Sequence, residues 1–461
     1  MERISDRVAS RSRGGGRMTE ESYIRDVVEQ IRCVRARDGI AKELSDHIED
    51  QTAAYVEKGV THEEAVRRAV QEMGDPVEVG VELDRIHRPQ TDYKLIGMAF
   101  LFHIAGFFII GQVGYLSQHP EYIGRQCVTL LLSFCVMAGM YFLDYSFIAR
   151  YAYGTFMFVT IVILGSLILS VGEGRIPGIM LSYLYVPVFA GILYRQRNGG
   201  YRALMWAMGM QIVTACFTFC FSGMLHTANI YMVCTFLIFL AAAKGWFSVN
   251  KKRAVTIMTG VLVLLPVALM SVMVMTGFFS IYGFQAQRLL AWLNPKQDAQ
   301  GAGYIYLLLR QEWRAVRLIG AADNSLLLSD NSVGPTDPLI LLQLICNYGV
   351  LAGLVLIAAF AALSIRAFQI VKRQKNQIGF MLSAACFMVI LLNCLEGVLS
   401  NTGYFLVSNM QFPFVSCNVY TGITYAVLIG LLLSIYRNER IITDKTVKRP
   451  TWKLMVKFEK R

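Results

Sequence analysis

Charge is scarce in this sequence. Asp, Glu, Lys and Arg make up 16% of its 461 residues against 55% hydrophobic ones, and the mean hydropathy is +0.46, which excludes a soluble protein of this length. Recognisable metal and thiol chemistry is scarce too. The ten cysteines form no C-x-x-C pair and nearly all lie inside apolar runs, where a thiol behaves as a small core hydrophobe. The six histidines form no H-E-x-x-H pair, so no protein-only zinc centre is expected. Residues 1–17 are rich in Arg, Ser and Gly and lack the apolar h-region of a secretory signal. They are expected to be disordered, with Met18 an alternative start. The net charge of +12 would suit a nucleic-acid partner, but the positive residues gather in short segments between apolar runs, as membrane topology requires, so no nucleic acid is expected.

What the sequence has in abundance is apolar stretches of about the ~20 residues that cross a bilayer. They fall near 95–117, 125–144, 151–171, 177–195, 203–222, 229–248, 254–277, 338–366, 378–400 and 411–436. The expected fold is all-α, a polytopic membrane protein of about ten transmembrane helices spanning 93–437 behind an N-terminal helical bundle. Arg150, the 195–202 turn, Lys251 to Arg253, Arg366 to Lys375 and the tail from Arg437 fall on one side, which places both termini in the cytosol. The alternate connections are poorer in charge, so the long loop 278–337 lies outside. The basic tail, 438–461, is expected to lie on anionic lipid headgroups.

The charged segment 18–92 reads as a small helical domain. Ile24, Val27, Val28, Ile31 and Val34 are spaced for one apolar face, Gly39 is expected to break that helix, and a second helix follows from Ile40 to Val56. Thr61 and Glu64 suggest a capping box for a third helix that ends near Met73, and a fourth runs from about Val77 to Ile86. Through Glu43-Leu-x-x-His47-Ile-Glu-Asp50, Glu63-Glu-Ala65, Met73-Gly-Asp-Pro76 and Leu83-Asp-Arg-Ile-His-Arg-Pro89 the segment resembles the HAAS-type prefix domain found ahead of bacterial permeases. That resemblance implies a cytosolic accessory module, with His47, Glu43 and Asp50 as a surface cluster.

The long outer loop holds the residues with chemical potential. Asp337, between Thr336 and Pro338, is read as a helix N-cap with proline at the first helical position. A carboxylate fixed there can also accept a proton from a substrate hydroxyl, and the two readings are compatible. Arg310, Arg314 and Arg317 are spaced to share one helix face, either as an interfacial helix among headgroups or as ligands of a diphosphate. Arg175, in the Gly172 to Arg175 turn, is either a snorkelling cation or an anion ligand, and Pro187 should kink the fourth span. Ser416 and Asn418, in the loosened start of the last span, either join helices or line a cavity.

Together these residues resemble the SEDS family of cell-wall polymerases, the FtsW/RodA/SpoVE group. The resemblance rests on Arg288-Leu-x-x-Trp-Leu-Asn-Pro295-x-x-Asp298, Gly303-Tyr304, Gly320, Thr336-Asp337, Tyr348-Gly349, Pro413-Phe-x-Ser416 and Gly430-Leu-Leu-x-Ser-Ile-x-Arg437, in the family's order and near its spacing. It implies a peptidoglycan glycosyltransferase that polymerises lipid II at the outer face of the bacterial cytoplasmic membrane during division, elongation or sporulation, alongside a class B penicillin-binding transpeptidase. Asp337 would be the general base, and Arg175, Arg288, Arg310, Arg314, Ser416 and Asn418 would hold the undecaprenyl-diphosphate-linked sugar. No cofactor is required, although a divalent cation could assist. The chain departs from the family at Asp337-Pro-Leu-Ile340, Cys346-Asn-Tyr-Gly349, Ser416-Cys-Asn-Val-Tyr420 and Arg175-Ile176, which leaves a second reading open, a non-catalytic scaffold or regulator of envelope assembly. A lipid-intermediate transporter is the weakest reading, because the spans carry almost no charge apart from Glu396.

Overall fold

The computed structural model describes residues 18–116, 121–169, 177–222, 224–264, 266–268, 271, 283–323, 325, 327, 337–407, 412–416 and 418–442. Among them regular structure is helical, apart from one isolated bridge between Phe412 and Val415. The chain divides into two compact units, one running to Gln90 and joined by a segment that begins at Asn438, the other running from Thr91 to Arg437.

The first unit contains the helices Glu20–Gln30, Val34–Glu57, His62–Glu72 and Pro76–Ile86. Its core is Tyr23, Val27 and Ile31 against Ala36, Ile40, Leu44 and Ile48, closed by Ala69, Val70 and Ile441. The expected break at Gly39 does not occur. A glycine inside a helix costs only about 1 kcal/mol, and burial of the four-spaced Ile40, Leu44 and Ile48 outweighs that. The chain turns earlier, at Ile31 to Cys33, where Arg32 N donates to Asp84 Oδ1 at 2.7 Å. Nor does the Thr61 side chain cap its helix, although its main-chain oxygen accepts from Ala65 N; a capping box forms instead at Thr19 with Ser22. Glu43, His47 and Asp50 are exposed on the second helix.

The fourth helix is started by Asp75, whose Oδ1 accepts from Val77 N at 2.8 Å and Glu78 N at 3.1 Å, with Pro76 at the first helical position. Asp75→Ala is expected to cost about 1 kcal/mol of local stability. In the full chain this would appear as faster amide exchange at Val77 and Glu78, and unchanged exchange there would refute it.

Among the described residues of the second unit, seven helices are long and apolar enough to cross a membrane, namely Tyr93–Gln112, Ile123–Phe142, Gly200–Cys220, Met224–Ala243, Val350–Arg373, Gln377–Ser400 and Val419–Arg437. Two shorter apolar helices span Ala152–Ile168 and Ile179–Arg195. The chain is an all-α, polytopic membrane protein. The share of each helix buried by protein rises from 22% for Ile123–Phe142 to 67% and 72% for Gln377–Ser400 and Val419–Arg437. The last two helices are therefore the centre, and the outer ones give most of their surface to lipid. Two glycines allow close approach: a Cβ on Gly430 would lie 2.5 Å from Met140 Cβ on a neighbouring helix, and one on Gly106 would strike the carbonyl of Phe414 in the turn before the last helix.

Three expected spans differ in detail. The fourth is a 3₁₀ helix over Pro177–Leu184 that becomes α over Tyr185–Arg195, so Pro187 sits in a first turn, where its missing N–H costs nothing. The eighth is not one helix over 338–366: Ile340–Tyr348 stops at Gly349, whose φ is 93°, and Val350–Arg373 begins afresh. The last begins at Val419 rather than 411, because Phe412 to Val415 form a tight turn with Phe414 at φ 65°. Phe360 stacks on Phe102 and on Phe412 at 4.8 and 5.2 Å, which holds that turn inside the unit.

Candidate functional site

The motif near the start of the long loop folds into a compact corner. The helix Gly283–Leu293 gives way at Asn294 to a 3₁₀ turn, Pro295–Asp298, and then to the helix Tyr304–Ala315. Asp298 holds the corner, its Oδ2 accepting from Ala302 N at 2.8 Å and its main-chain oxygen from Gly303 N at 2.9 Å. A Cβ on Gly303 would lie 2.2 Å from the Pro295 carbonyl oxygen, so that position admits only glycine. Pro295, Asp298 and Gly303 thus act through shape.

Both loop helices dock on one turn, residues 401–407. Trp292 Nε1 donates to Tyr404 O at 2.9 Å, Trp313 Nε1 to Asn401 O at 2.8 Å, and Arg310 Nε to Gly403 O at 2.9 Å. The Arg310 guanidinium also lies over the Tyr404 ring, 4.5 Å from its centroid. Tyr306 OH accepts from Val407 N at 3.3 Å; burial pushes its hydroxyl up against the pull of that N–H and of Arg288, and it stays protonated at neutral pH. Arg288 and Arg314 are exposed on their helices. Arg317 is not on the helix face with Arg310 and Arg314, because the helix ends at Ala315; its guanidinium pairs with Asp323 at 2.5 Å.

Asp337 opens a 3₁₀ turn, Asp337–Leu339, ahead of the helix Ile340–Tyr348. It does not occupy the N-cap of that helix, which is Leu339, because the 3₁₀ turn intervenes. The segment 317–322 is laid along the end of the same helix: Gly320 N bonds Tyr348 O at 3.0 Å, Ala322 N bonds Cys346 O at 2.7 Å, and Val350 N bonds Arg317 O at 3.0 Å. Beneath it Glu312 is 1% exposed, accepting from Ser325 Oγ at 2.6 Å, Leu327 N at 3.4 Å and Cys346 Sγ at 3.5 Å. One carboxylate therefore ties the chain before Asp337 to the helix after it. Glu312 went unread in the sequence, although a carboxylate on the apolar stripe of Leu308 and Leu309 was the available signal. Glu312→Ala is expected to destabilise the unit by about 2–3 kcal/mol, since it strands buried donors, while Arg314→Ala stays within ~0.5 kcal/mol. Thermal unfolding of the two variants in one detergent checks this, and equal midpoints would contradict it.

Ser416 and Asn418 are used at the start of the last helix: Ser416 Oγ accepts from Asn418 N at 3.0 Å, and Asn418 Oδ1 from Tyr420 N at 2.9 Å. Arg175 lies outside the described residues, as do Thr336 and residues 1–17. Glu396, the lone charge noted inside a span, is buried on Gln377–Ser400 and accepts from Asn229 of the neighbouring helix Met224–Ala243. Among the described residues no group of three or more His, Cys, Asp or Glu is placed to hold a metal ion.

No protein-family model matches the chain, and no curated protein matches it. Solved structures do. A chain from the structure of a peptidoglycan synthase complex, described as coordinating polymerization and crosslinking, superposes with a TM-score of 0.56 at 15% identity, over 76% of this chain and 98% of that one. The chain has the RodA-like SEDS fold. The rod shape determining protein RodA of Thermus thermophilus, solved as an aspartate-to-alanine variant, gives a TM-score of 0.49 at 13% identity, over 76% of this chain and 98% of that one. The SEDS fold accounts for the peptidoglycan synthase chain almost end to end, and about a quarter of the present chain has no counterpart there.

Proposed function

We propose that this chain is a peptidoglycan glycosyltransferase that polymerises lipid II at the outer face of the cytoplasmic membrane, with both termini cytosolic and a class B penicillin-binding transpeptidase as partner. The observation that carries this reading is the superposition on 98% of a chain from a peptidoglycan synthase complex. The local arrangement agrees with it: the helices bearing Arg288, Arg310 and Arg314 dock on a single turn at the end of a central helix, and Asp337 sits at a helix entrance in the same outer region. Asp337 takes the proton of the attacking sugar hydroxyl, the bond from oxygen to the anomeric carbon forms, and the lipid diphosphate leaves with the electron pair. A leaving group of that kind needs positive charge near it rather than a separate protein acid. Arg314 and Arg288 are the exposed candidates for this.

A second reading, a non-catalytic scaffold of envelope assembly, is favoured by how many expected ligands already have structural work. Arg310 holds Gly403 and Tyr404, while Ser416 and Asn418 start the last helix. The experiment that separates the two is glycan polymerisation from lipid II by the purified full chain, with and without a candidate transpeptidase. Polymer supports the enzyme; folded protein that makes none in either condition supports the scaffold.

A further inference from the structure

We infer that Asn401 is a positioning residue for the backbone turn that bears Asp337, an assignment that rests on the polymerase reading. The helix Ile340–Tyr348 begins at Leu339, a residue with no side-chain acceptor, so its first N–H groups need a partner from elsewhere. Asn401 supplies it from the end of Gln377–Ser400. Its Oδ1 accepts from Leu342 N at 3.0 Å, and its Nδ2 donates to Pro338 O at 2.8 Å and to Gly397 O at 2.7 Å. The residue has no exposed surface, so these bonds are made away from water, where losing one is expensive.

The two partners bracket the reactive turn. The Pro338 carbonyl belongs to the residue after Asp337, and Leu342 N lies one turn further on, so the amide of Asn401 fixes where the turn stands on the central helix. Its main chain adds a second link, because the Asn401 carbonyl accepts from Trp313 on the helix that carries Arg310 and Arg314. One residue therefore ties the carboxylate's turn and the basic helix to the same point. Asn401 is also neutral. An aspartate there would bond Leu342 N as well, but it would set a second anion beside the turn and face two carbonyls with no donor. The choice of amide supplies both a donor and an acceptor to the turn without adding a second negative charge beside it.

The test is lipid II polymerisation by the full chain, with kcat, KM and the pH profile measured per folded protein for wild type, Asn401→Leu, Asn401→Asp and a neighbouring control, Thr402→Ala. Expected are a kcat at least tenfold lower in both Asn401 variants with KM within about threefold, a control close to wild type, and an acidic limb moved to higher pH in Asn401→Asp. A role in stability alone would lower the yield of folded protein and leave the pH profile in place. Rates and profiles of both variants within twofold of wild type would overturn the assignment. So would failure of both to fold while Thr402→Ala folds, since Asn401 would then serve only the fold. No polymer from wild type would overturn the polymerase reading, and this assignment with it.

Discussion

Asp337→Asn is expected to fold and insert as the wild type does and to lose polymerisation by roughly 10²- to 10⁴-fold, the ordinary worth of a general base. The substitution keeps side-chain volume and replaces only the ability to accept a proton. The surrounding backbone has support from outside residue 337, with Pro338 O and Leu342 N both bound to Asn401. The measurement is initial rate per folded protein, with thermal midpoints compared in parallel. A fully active Asp337→Asn protein would remove the base from residue 337. A fall in midpoint that tracks the loss of rate would make Asp337 a residue of the fold.

The second large effect is expected at Gly349. Its backbone, φ 93° and ψ 171°, lies in a region that residues with a Cβ scarcely visit, and a Cβ there would stand 2.6 Å from Leu318 O and 2.7 Å from Ile319 Cα. Those atoms belong to the segment 317–322 that is bonded along the helix end, so neither side can give way without breaking backbone hydrogen bonds. Gly349→Ala is expected to cost about 3 kcal/mol or more, combining the strain of the backbone with the displaced segment. Gly209→Ala is the matched control, because a Cβ there meets nothing within 4 Å. Thermal unfolding and the yield of monodisperse protein read both, and a Gly349→Ala protein as stable as the control would show that the segment moves aside freely.

These two positions also mark how far the sequence could be read. Membrane-length hydrophobicity made the helical architecture plain, and motif order pointed to the SEDS fold that the superposition supports. The break at Gly349 was hidden because glycine is tolerated inside membrane helices, and the hydrogen bonds that impose the break come from residues about thirty positions earlier. Gly39 failed in the opposite direction, since a weak local preference lost to the burial of Ile40, Leu44 and Ile48. The basic string read as three ligands on one face, yet Arg317 lies past the helix end with Asp323 as partner, and Arg310 is occupied by a carbonyl and a ring. Spacing places cations on a face but does not reveal what they meet. Asn401 gave no signal at all, because a single asparagine in a turn between helices belongs to no motif and its contacts lie some sixty residues distant in sequence.

The core of the N-terminal bundle contains Ile441, beside which Arg440 donates to Ile86 O at 3.4 Å. The helices that precede the membrane helices in sequence therefore need a side chain that follows them before their core is complete. Every unfinished chain carries an apolar notch where Ile441 belongs, open for the whole time the membrane helices are being made and inserted. Closure of that notch therefore comes only after the helix Val419–Arg437 has been synthesised.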